Sequence, residues 1–244
     1  MSGRIAAVPA GDSRPAGRLT AGRREDVRYL VFGRVLPAAL FAVLGMIVLN
    51  QIAAQVEHPS GGLLGVISGP AWESLYAAFC LIPVVLFVLR PRPSVAERRL
   101  LPRMVAFIAT TMLLGLALLP DGARLATLPA WAGAVSSLIL LGATVGEVWA
   151  LLSLGLSFGI FPAARRLVTR GPYRVVRHPL YLFEILCALT RLVPRLNLLP
   201  LAMVAAFCAL QIMRVAYEDT LLAGTLPEWA GWARHTARLI PGIW

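Results

Sequence analysis

The sequence predicts an all-α fold: a polytopic membrane helical bundle of about six transmembrane helices, with a C-terminal helical hairpin and a cytoplasmic amphipathic cap. The first observation is composition. Of 244 residues, 58% are hydrophobic and 14% are charged, and the mean hydropathy is +0.75, whereas a soluble domain carries roughly 25% charged residues. The second observation is that apolar runs long enough to cross a bilayer alternate with arginine-rich links.

The apolar runs divide the chain into three regions. Residues 1–28 are rich in Gly, Ala, Pro and Arg without periodicity, so we expect a disordered basic tail. Residues 29–130 hold three predicted spans, and residues 131–244 hold three more and a polar, aromatic C-terminal segment, 217–244, that we expect at the cytoplasmic interface. The predicted spans are 29–50, 72–89, 104–119, 131–160, 180–193 and 198–216.

Arginine placement predicts the orientation. The tail and the links before spans three and five are rich in Arg, whereas the loops 51–71 and 120–130 carry only Arg124. The positive-inside rule then places both termini in the cytoplasm. The exceptions, Arg191 and Arg195, would snorkel to the outer interface, unless the last hairpin dips into the membrane without crossing it. Arginine-only basic usage with Ala and Leu richness favours a bacterial inner membrane.

The net charge of +11 also limits the partners. In a soluble protein it would favour nucleic acid, but here the arginines flank apolar segments. We therefore expect anionic membrane lipids as partners and no nucleic acid. The cysteines, Cys80, Cys187 and Cys208, fall in apolar segments without a C-x-x-C pair, which predicts buried packing and no metal site.

Span four contains two glycine pairs at helical spacing. They are Gly142-x-x-x-Gly146 and Gly155-x-x-x-Gly159. Small residues at this spacing let another backbone approach closely. Helix packing is one interpretation, and space for a cofactor beside the helix is the other.

A polar run precedes span five, in residues 171–181. Charged groups at membrane depth cost several kcal/mol unless something binds them, so the run predicts the edge of a ligand site. Pro194 and Asn197 predict a tight turn between spans five and six, which brings the ends of this hairpin together. Three residues of the run should then lie near three residues of span six and its end: Arg177, His178 and Tyr181 near Arg214, Glu218 and Asp219.

Glu184 is a carboxylate inside a predicted membrane helix, which is by default a functional hypothesis. The alternative is a structural ion pair with Arg214 or Arg177. His178 precedes Pro179, which biases its backbone towards extended geometry. Its side chain would then point into the site.

Three segments together resemble one enzyme family. They are residues 167–181 (Leu-Val-Thr-Arg-Gly-Pro-Tyr-Arg-Val-Val-Arg-His-Pro-Leu-Tyr), the pair Glu218-Asp219, and the ending 238–244 (Arg-Leu-Ile-Pro-Gly-Ile-Trp). This pattern is similar to that of the isoprenylcysteine carboxyl methyltransferase family, which is related to the membrane phospholipid methyltransferases. The resemblance covers about residues 140–244, so residues 131–244 would form the methyltransferase core.

The resemblance implies S-adenosylmethionine as methyl donor, held between the last hairpin and the C-terminal segment. The implied cofactor-binding residues are Gly171, Pro172, Tyr173, Arg177, His178, Tyr181, Glu184, Glu218 and Asp219. The implied substrate-binding residues are Arg174, Arg214 and Trp232, and the implied catalytic residues are Arg214, Glu218 and His178. The sequence departs from the pattern at Phe183, where a Gly is common, and we expect Phe183 to narrow the cavity. Asp219 also replaces the second Glu of an acidic pair.

The predicted function is an integral membrane methyltransferase that moves a methyl group to a lipidic or small hydrophobic acceptor, which would be a carboxylate, an amine or a thiol. One alternative is a membrane NADPH-dependent sterol-type reductase, because those proteins share a similar Arg-His C-terminal region. The other is a non-enzymatic membrane protein such as a transporter. That alternative predicts polar residues within several spans, whereas the first three spans hold only Thr110 and Thr111 near a midplane.

Overall fold

The computed structural model describes residues 27, 29–57, 63–117, 125–126, 128–193 and 196–244. Nearly all of the predicted basic tail lies outside these ranges, as do Arg124, Pro194 and Arg195. Within them the protein is mostly helical, as the sequence predicts.

The elements follow in chain order. A π-helical turn, Val31–Val35, leads into the first helix. The helices are α1 (Leu36–Glu57), α2 (Leu63–Leu89), α3 (Leu100–Ala117), α4 (Ala130–Leu154), α5 (Pro179–Thr190), α6 (Leu198–Ala223) and α7 (Trp229–Ala233). The two short strands are β1 (Val95–Ala96) and β2 (Ala163–Ala164), and the 3-10 turns are Gly155–Ser157 and Gly171–Arg174.

Apolar helices make the chain an integral membrane protein. Among the described residues, three segments are long and apolar enough to cross a bilayer: Val31–Asn50, Trp131–Ser157 and Leu198–Ala223. Three shorter apolar helical segments accompany them: Ser74–Leu89, Leu100–Met112 and Pro179–Thr190. The number of six crossings remains a prediction. Helix α5 has only 12 residues.

Several helix boundaries differ from the predicted ones. Helix α4 ends at Leu154 instead of residue 160, because Gly155 takes a φ of +53°, which favours glycine and ends the helix. The pair Gly155-x-x-x-Gly159 is therefore not a helix-packing motif. Helix α6 continues past residue 216 to Ala223 and carries Glu218 and Asp219 in its last turns. Most of the predicted loop 51–71 is helical, in α1 and α2.

The helices pack mainly in the pairs α1 with α2, α2 with α4, α4 with α5, and α3 with α6. Helices α5 and α6 also touch, but each packs more extensively against another helix. At Gly146 of α4, an added Cβ would lie 2.5 Å from the ring of Phe183 on α5. Helix packing is thus confirmed at Gly146. Phe183 fills this notch instead of lining the cavity, so the expectation that it narrows the cavity is wrong.

An aromatic core joins the two halves of the chain. Phe41 of α1, Phe87 of α2 and Phe158 after α4 lie with ring centroids 5.4 to 6.2 Å apart. Strands β1 and β2 pair antiparallel, with Val95 opposite Ala164. Two arginine-rich links, 90–99 and 155–178, consequently lie side by side, and the link 155–178 passes over the site.

Candidate active site

Asp219, in the last turns of α6, binds two arginines and a histidine. Its Oδ1 lies 2.8 Å from Nε2 of His178. Its Oδ2 accepts hydrogen bonds from Nη1 of Arg177 at 3.0 Å and from Nε of Arg238 at 2.9 Å. Asp219 is only 4% exposed. One buried carboxylate therefore joins the segment before α5, the end of α6 and the C-terminal residues.

The C-terminal residues pair with the chain just before α5. The N–H groups of Arg177 and His178 donate to the carbonyl oxygens of Ala237 and Arg238, at 2.7 and 3.1 Å. We call residues 234–244 the C-terminal strap. In place of a continuous amphipathic helix, the predicted cap consists of the five-residue helix α7 followed by this strap. The strap is thus held by backbone and side-chain hydrogen bonds.

Glu218 faces the opposite side of His178 from Asp219. Its Oε1 accepts a hydrogen bond from the hydroxyl of Tyr181 at 2.6 Å, and its Oε2 lies 3.6 Å from Nδ1 of His178. The rings of His178 and Tyr181 are stacked, 5.6 Å apart. Burial disfavours the charged imidazole, but hydrogen bonds with Asp219 and Glu218 outweigh it and raise the pKa of His178 above its ordinary value. His178 therefore carries its proton more readily than a free histidine does.

Arg214 and Glu184 belong to a second polar group, which adjoins the group around His178 at the ring of Tyr181. Nη1 of Arg214 donates to Oε1 of Gln211 at 3.1 Å, and Nε2 of Gln211 donates to Glu184. Nη1 of Arg214 lies 3.9 Å from Oε2 of Glu184, and its guanidinium lies 4.4 Å over the ring of Tyr181. The structural ion pair between Glu184 and Arg214 is therefore present, and both side chains also border the cavity.

A cavity opens between these groups and the helices of the first half. Its empty space is about 1020 Å³, a volume that includes open solvent at its mouth. The predicted site residues in its wall are Tyr173, Arg177, His178, Tyr181, Glu184, Arg214, Glu218 and Trp232. Its apolar wall includes Phe41, Phe79, Phe158, Phe161, Val168 and Leu180. Helices α1 and α2 thus contribute to the cavity, whose wall combines charged side chains with aromatic and aliphatic ones.

Four predicted site residues lie outside the cavity wall. Asp219 does not border the cavity, but it binds His178, which does. Gly171 and Pro172 form the turn Gly171–Arg174, where Gly171 packs against Ser153 of α4. This turn directs Tyr173 inwards, where its carbonyl accepts a hydrogen bond from Nε1 of Trp232 at 3.3 Å. Arg174 is placed on the exposed outer side of the turn.

Sequence reasoning missed several polar residues of the interior. Arg165 and Arg166 line the cavity, and Gln211 is fully buried beside it. Glu147 of α4 is also fully buried, and no partner for its Oε1 occurs among the described residues. The rule that selected Glu184, a carboxylate inside a membrane helix, selects Glu147 equally. In the described ranges, no group of three or more His, Cys, Asp or Glu side chains is arranged to hold a metal ion.

Comparison with known proteins identifies the region that contains the site. Residues 135–224 match the model of the Isoprenylcysteine carboxyl methyltransferase (ICMT) family. The family resemblance seen in the sequence is confirmed. The ICMT match begins in α4 and ends just after α6, so it includes every predicted site residue except Trp232. ICMT family members use S-adenosylmethionine as methyl donor.

Two curated relatives are similar over a comparable length. The cobalt-zinc-cadmium resistance protein CzcN of Cupriavidus metallidurans is 34% identical over 105 residues, which cover 41% of this chain and 45% of that protein. The nickel-cobalt-cadmium resistance protein NccN of Alcaligenes xylosoxydans xylosoxydans is 33% identical over 106 residues, which cover 41% of this chain and 46% of that protein. The chain thus spans about half the length of the curated relatives it matches.

Proposed function

We propose that the chain is an integral membrane, S-adenosylmethionine-dependent methyltransferase that moves a methyl group to a lipidic or small hydrophobic acceptor. The observation that carries this proposal is the cavity in the ICMT-matching region, whose wall combines Glu218, His178 and Arg177 with aromatic and aliphatic side chains. The proposed setting is a bacterial inner membrane, with both termini and the cavity mouth on the cytoplasmic side.

The charged side chains of the cavity wall fit S-adenosylmethionine, which carries a sulfonium, an amino group and a carboxylate. The Glu218 carboxylate would take the amino group, and the indole ring of Trp232 offers a π face to the sulfonium. Arg177 would take the carboxylate. Its Nη1 binds Asp219, whereas its buried Nε has no acceptor within the described part of the chain. When bound, the cofactor supplies a methyl group that is already activated for displacement.

The protein's part in such a transfer is to position the reactants and exclude water. Tyr181 and His178 hold Glu218 from two sides, which fixes the orientation of its carboxylate. Asp219 holds His178 and Arg177, although it does not border the cavity. Asp219 is therefore proposed as a positioning residue, which changes the role that the resemblance implied for it.

The apolar side chains of the cavity wall would receive the body of the acceptor from the bilayer. A carboxylate acceptor needs no base, only a cation such as Arg214 to hold it. A thiol or an amine must lose a proton, which Glu218 or His178 would accept. The names of the two relatives state resistance to metal ions and no reaction, so the proposed acceptor class depends on the cavity and the family domain alone.

Calorimetry on the purified protein in detergent tests the proposal. We expect heat of binding with S-adenosylhomocysteine and none with NADPH. Glu218→Gln should weaken that binding by at least about tenfold, or about 1.4 kcal/mol, because the carboxylate charge in the cavity is lost. The exposed Glu228→Gln is the matched control and should bind like the unmodified protein.

Absence of heat with S-adenosylhomocysteine, in protein shown to be folded, would contradict the proposal. Heat with NADPH instead would favour the reductase alternative. Transfer of a labelled methyl group to a panel containing prenylcysteine carboxylates, phospholipid amines and small thiols would then identify the acceptor.

A further inference from the structure

One buried and two half-buried arginines meet where the π-helical turn approaches the end of α2. Arg90, directly after α2, is only 5% exposed. Its Nη1 donates to the carbonyl of Phe158 at 3.1 Å, and its Nη2 donates to the carbonyl of Gly33. Arg34 lies beside it, and its Nη2 donates to the carbonyl of Arg90 at 2.6 Å. Arg34, just before α1, and Arg90, just after α2, are thereby held side by side.

Arg165 reaches the same place from the link 155–178. An added Cβ at Gly159 would lie 3.0 Å from Nη1 of Arg90 and 3.1 Å from Nη1 of Arg165. The two guanidinium groups therefore flank the side-chain position that Gly159 leaves empty. The guanidinium of Arg34 lies 5.6 Å over the ring of Tyr29, which closes the group on the other side. We call Arg34, Arg90 and Arg165 the arginine cluster.

No described carboxylate lies within 4.0 Å of the arginine cluster, although Glu218 attracts Arg165 from a longer distance. The guanidinium groups donate hydrogen bonds to backbone carbonyls, and the side chain of Tyr29 is a further partner of Arg90 and Arg165. The buried Nε of each arginine has no acceptor among the described residues. Burial and then the neighbouring charge of Arg165 lower the pKa of Arg90 to about 10, and burial lowers the pKa of Arg165. Buried cations without a nearby counter-charge are unfavourable, so the cluster favours an anion.

The surroundings of the cluster are suited to a lipid. Phe32 and Val35 of the π-helical turn and Leu89 at the end of α2 are exposed apolar side chains. They lie at the ends of apolar helices, where a bilayer's headgroup layer meets its hydrocarbon. Basic pockets between transmembrane helices bind anionic lipid headgroups in this position.

We infer that Arg34, Arg90 and Arg165 bind the phosphate of an anionic phospholipid, whose acyl chains lie against the exposed apolar side chains of the π-helical turn and α2. A free phosphate would satisfy the same guanidinium groups but would gain nothing from the apolar side chains. This lipid is an accessory ligand: Arg34 and Arg90 lie outside the wall of the methyl-transfer cavity, whereas Arg165 borders both sites. The Arg34→Gln variant therefore tests the lipid site without altering the cavity wall.

Native mass spectrometry and thermal unfolding of the full chain in detergent test this site. We expect phosphatidylglycerol to bind saturably and to raise the unfolding temperature, and phosphatidylcholine at equal concentration to do neither. Arg34→Gln and Arg165→Gln should each weaken phosphatidylglycerol binding by about tenfold. Arg98→Gln removes the same charge at an exposed position in a neighbouring link and should leave binding unchanged. Arg90 is left intact because it also satisfies two backbone carbonyls.

Four results would overturn the inference. If phosphatidylglycerol and phosphatidylcholine bind equally, the protein has only a general attraction to a membrane surface. The same follows if Arg34→Gln and Arg98→Gln weaken phosphatidylglycerol binding equally. If inorganic phosphate raises the unfolding temperature as much as phosphatidylglycerol does, the ligand is a free anion. If phosphatidylglycerol binds only after Glu25→Gln and Asp26→Asn, the chain's own acids occupy the cluster. Binding of S-adenosylhomocysteine by Arg34→Gln, measured alongside, shows separately whether the cofactor site is intact.

Discussion

Two arginine-rich regions lie at helix ends in this protein, and they differ in the groups that bind their positive charge. Around Asp219, one carboxylate binds Arg177, His178 and Arg238. In the arginine cluster, the guanidinium groups bind backbone carbonyls and the side chain of Tyr29, and no described carboxylate lies within 4.0 Å. In the first region the carboxylates of Asp219 and Glu218 balance the charges of Arg177 and Arg238, and their contacts fix the geometry of the candidate site. The second leaves charge for a ligand to neutralise. The position of a carboxylate, more than the number of arginines, therefore separates the two regions.

The largest expected effect comes from removing the carboxylate of the balanced region. Asp219→Ala removes the carboxylate that binds Arg177, His178 and Arg238. Breaking a buried ion pair costs about 3–5 kcal/mol of the free energy of unfolding. We expect the lower end, because Arg238 is partly exposed. The free energy of unfolding in detergent, by denaturant titration, measures the loss. Glu228→Ala, at an exposed position, should change it by less than about 0.5 kcal/mol. Equal stability of the two variants would show that the Asp219 contacts contribute little.

A smaller effect is expected from the unbalanced region. In detergent without anionic lipid, Arg165→Met should change the free energy of unfolding by less than about 1 kcal/mol, or increase it, because a buried charge without a counter-charge is removed. The same titration used for Asp219→Ala measures it. A loss as large as that of Asp219→Ala would mean that Arg165 has a stabilising partner, and the contrast between the regions would fail.

The smallest expected effect is a pH dependence confined to the balanced region. The pKa of His178 is raised in the folded protein, above an unfolded value of about 6.5. Its contribution to stability is therefore complete below the unfolded pKa and is lost as the pH rises through the folded pKa. Unfolding temperatures from about pH 6 to pH 9 should fall for the unmodified protein. His178→Gln should flatten this profile, whereas the exposed His235→Gln should keep it; a slope retained in His178→Gln would assign it to another group.

The meeting of His178 with Glu218 and Asp219 was predictable from the sequence. It required only a short turn between two apolar helices, because antiparallel helices joined in this way bring their outer ends together. Asn197 indeed caps α6, with its side chain accepting a hydrogen bond from the N–H of Leu199. Helix α6 ends at Ala223, later than the predicted residue 216, and therefore includes Glu218 and Asp219. Their side chains reach His178 from the last helical turns.

The link 155–178 was not predictable in the same way. It has no periodicity from which to tell that Tyr173 points inwards and Arg174 outwards, because both lie in a single 3-10 turn. Nor does the sequence indicate that Arg165 approaches Arg90, since that contact depends on the pairing of β1 with β2. Glu147 is different. A carboxylate inside a membrane helix is a functional hypothesis, and this rule selects Glu147 as well as Glu184.

The brevity of α5 has a consequence for the surrounding bilayer. At roughly 1.5 Å per residue, its 12 residues span about 18 Å, against a hydrocarbon thickness of about 30 Å. If α5 crosses the bilayer, as the sequence predicts, the bilayer around it has to thin, at a cost of fractions of a kcal/mol for each Å of mismatch. The protein should consequently partition into thinner membranes, where this hydrophobic mismatch is smallest.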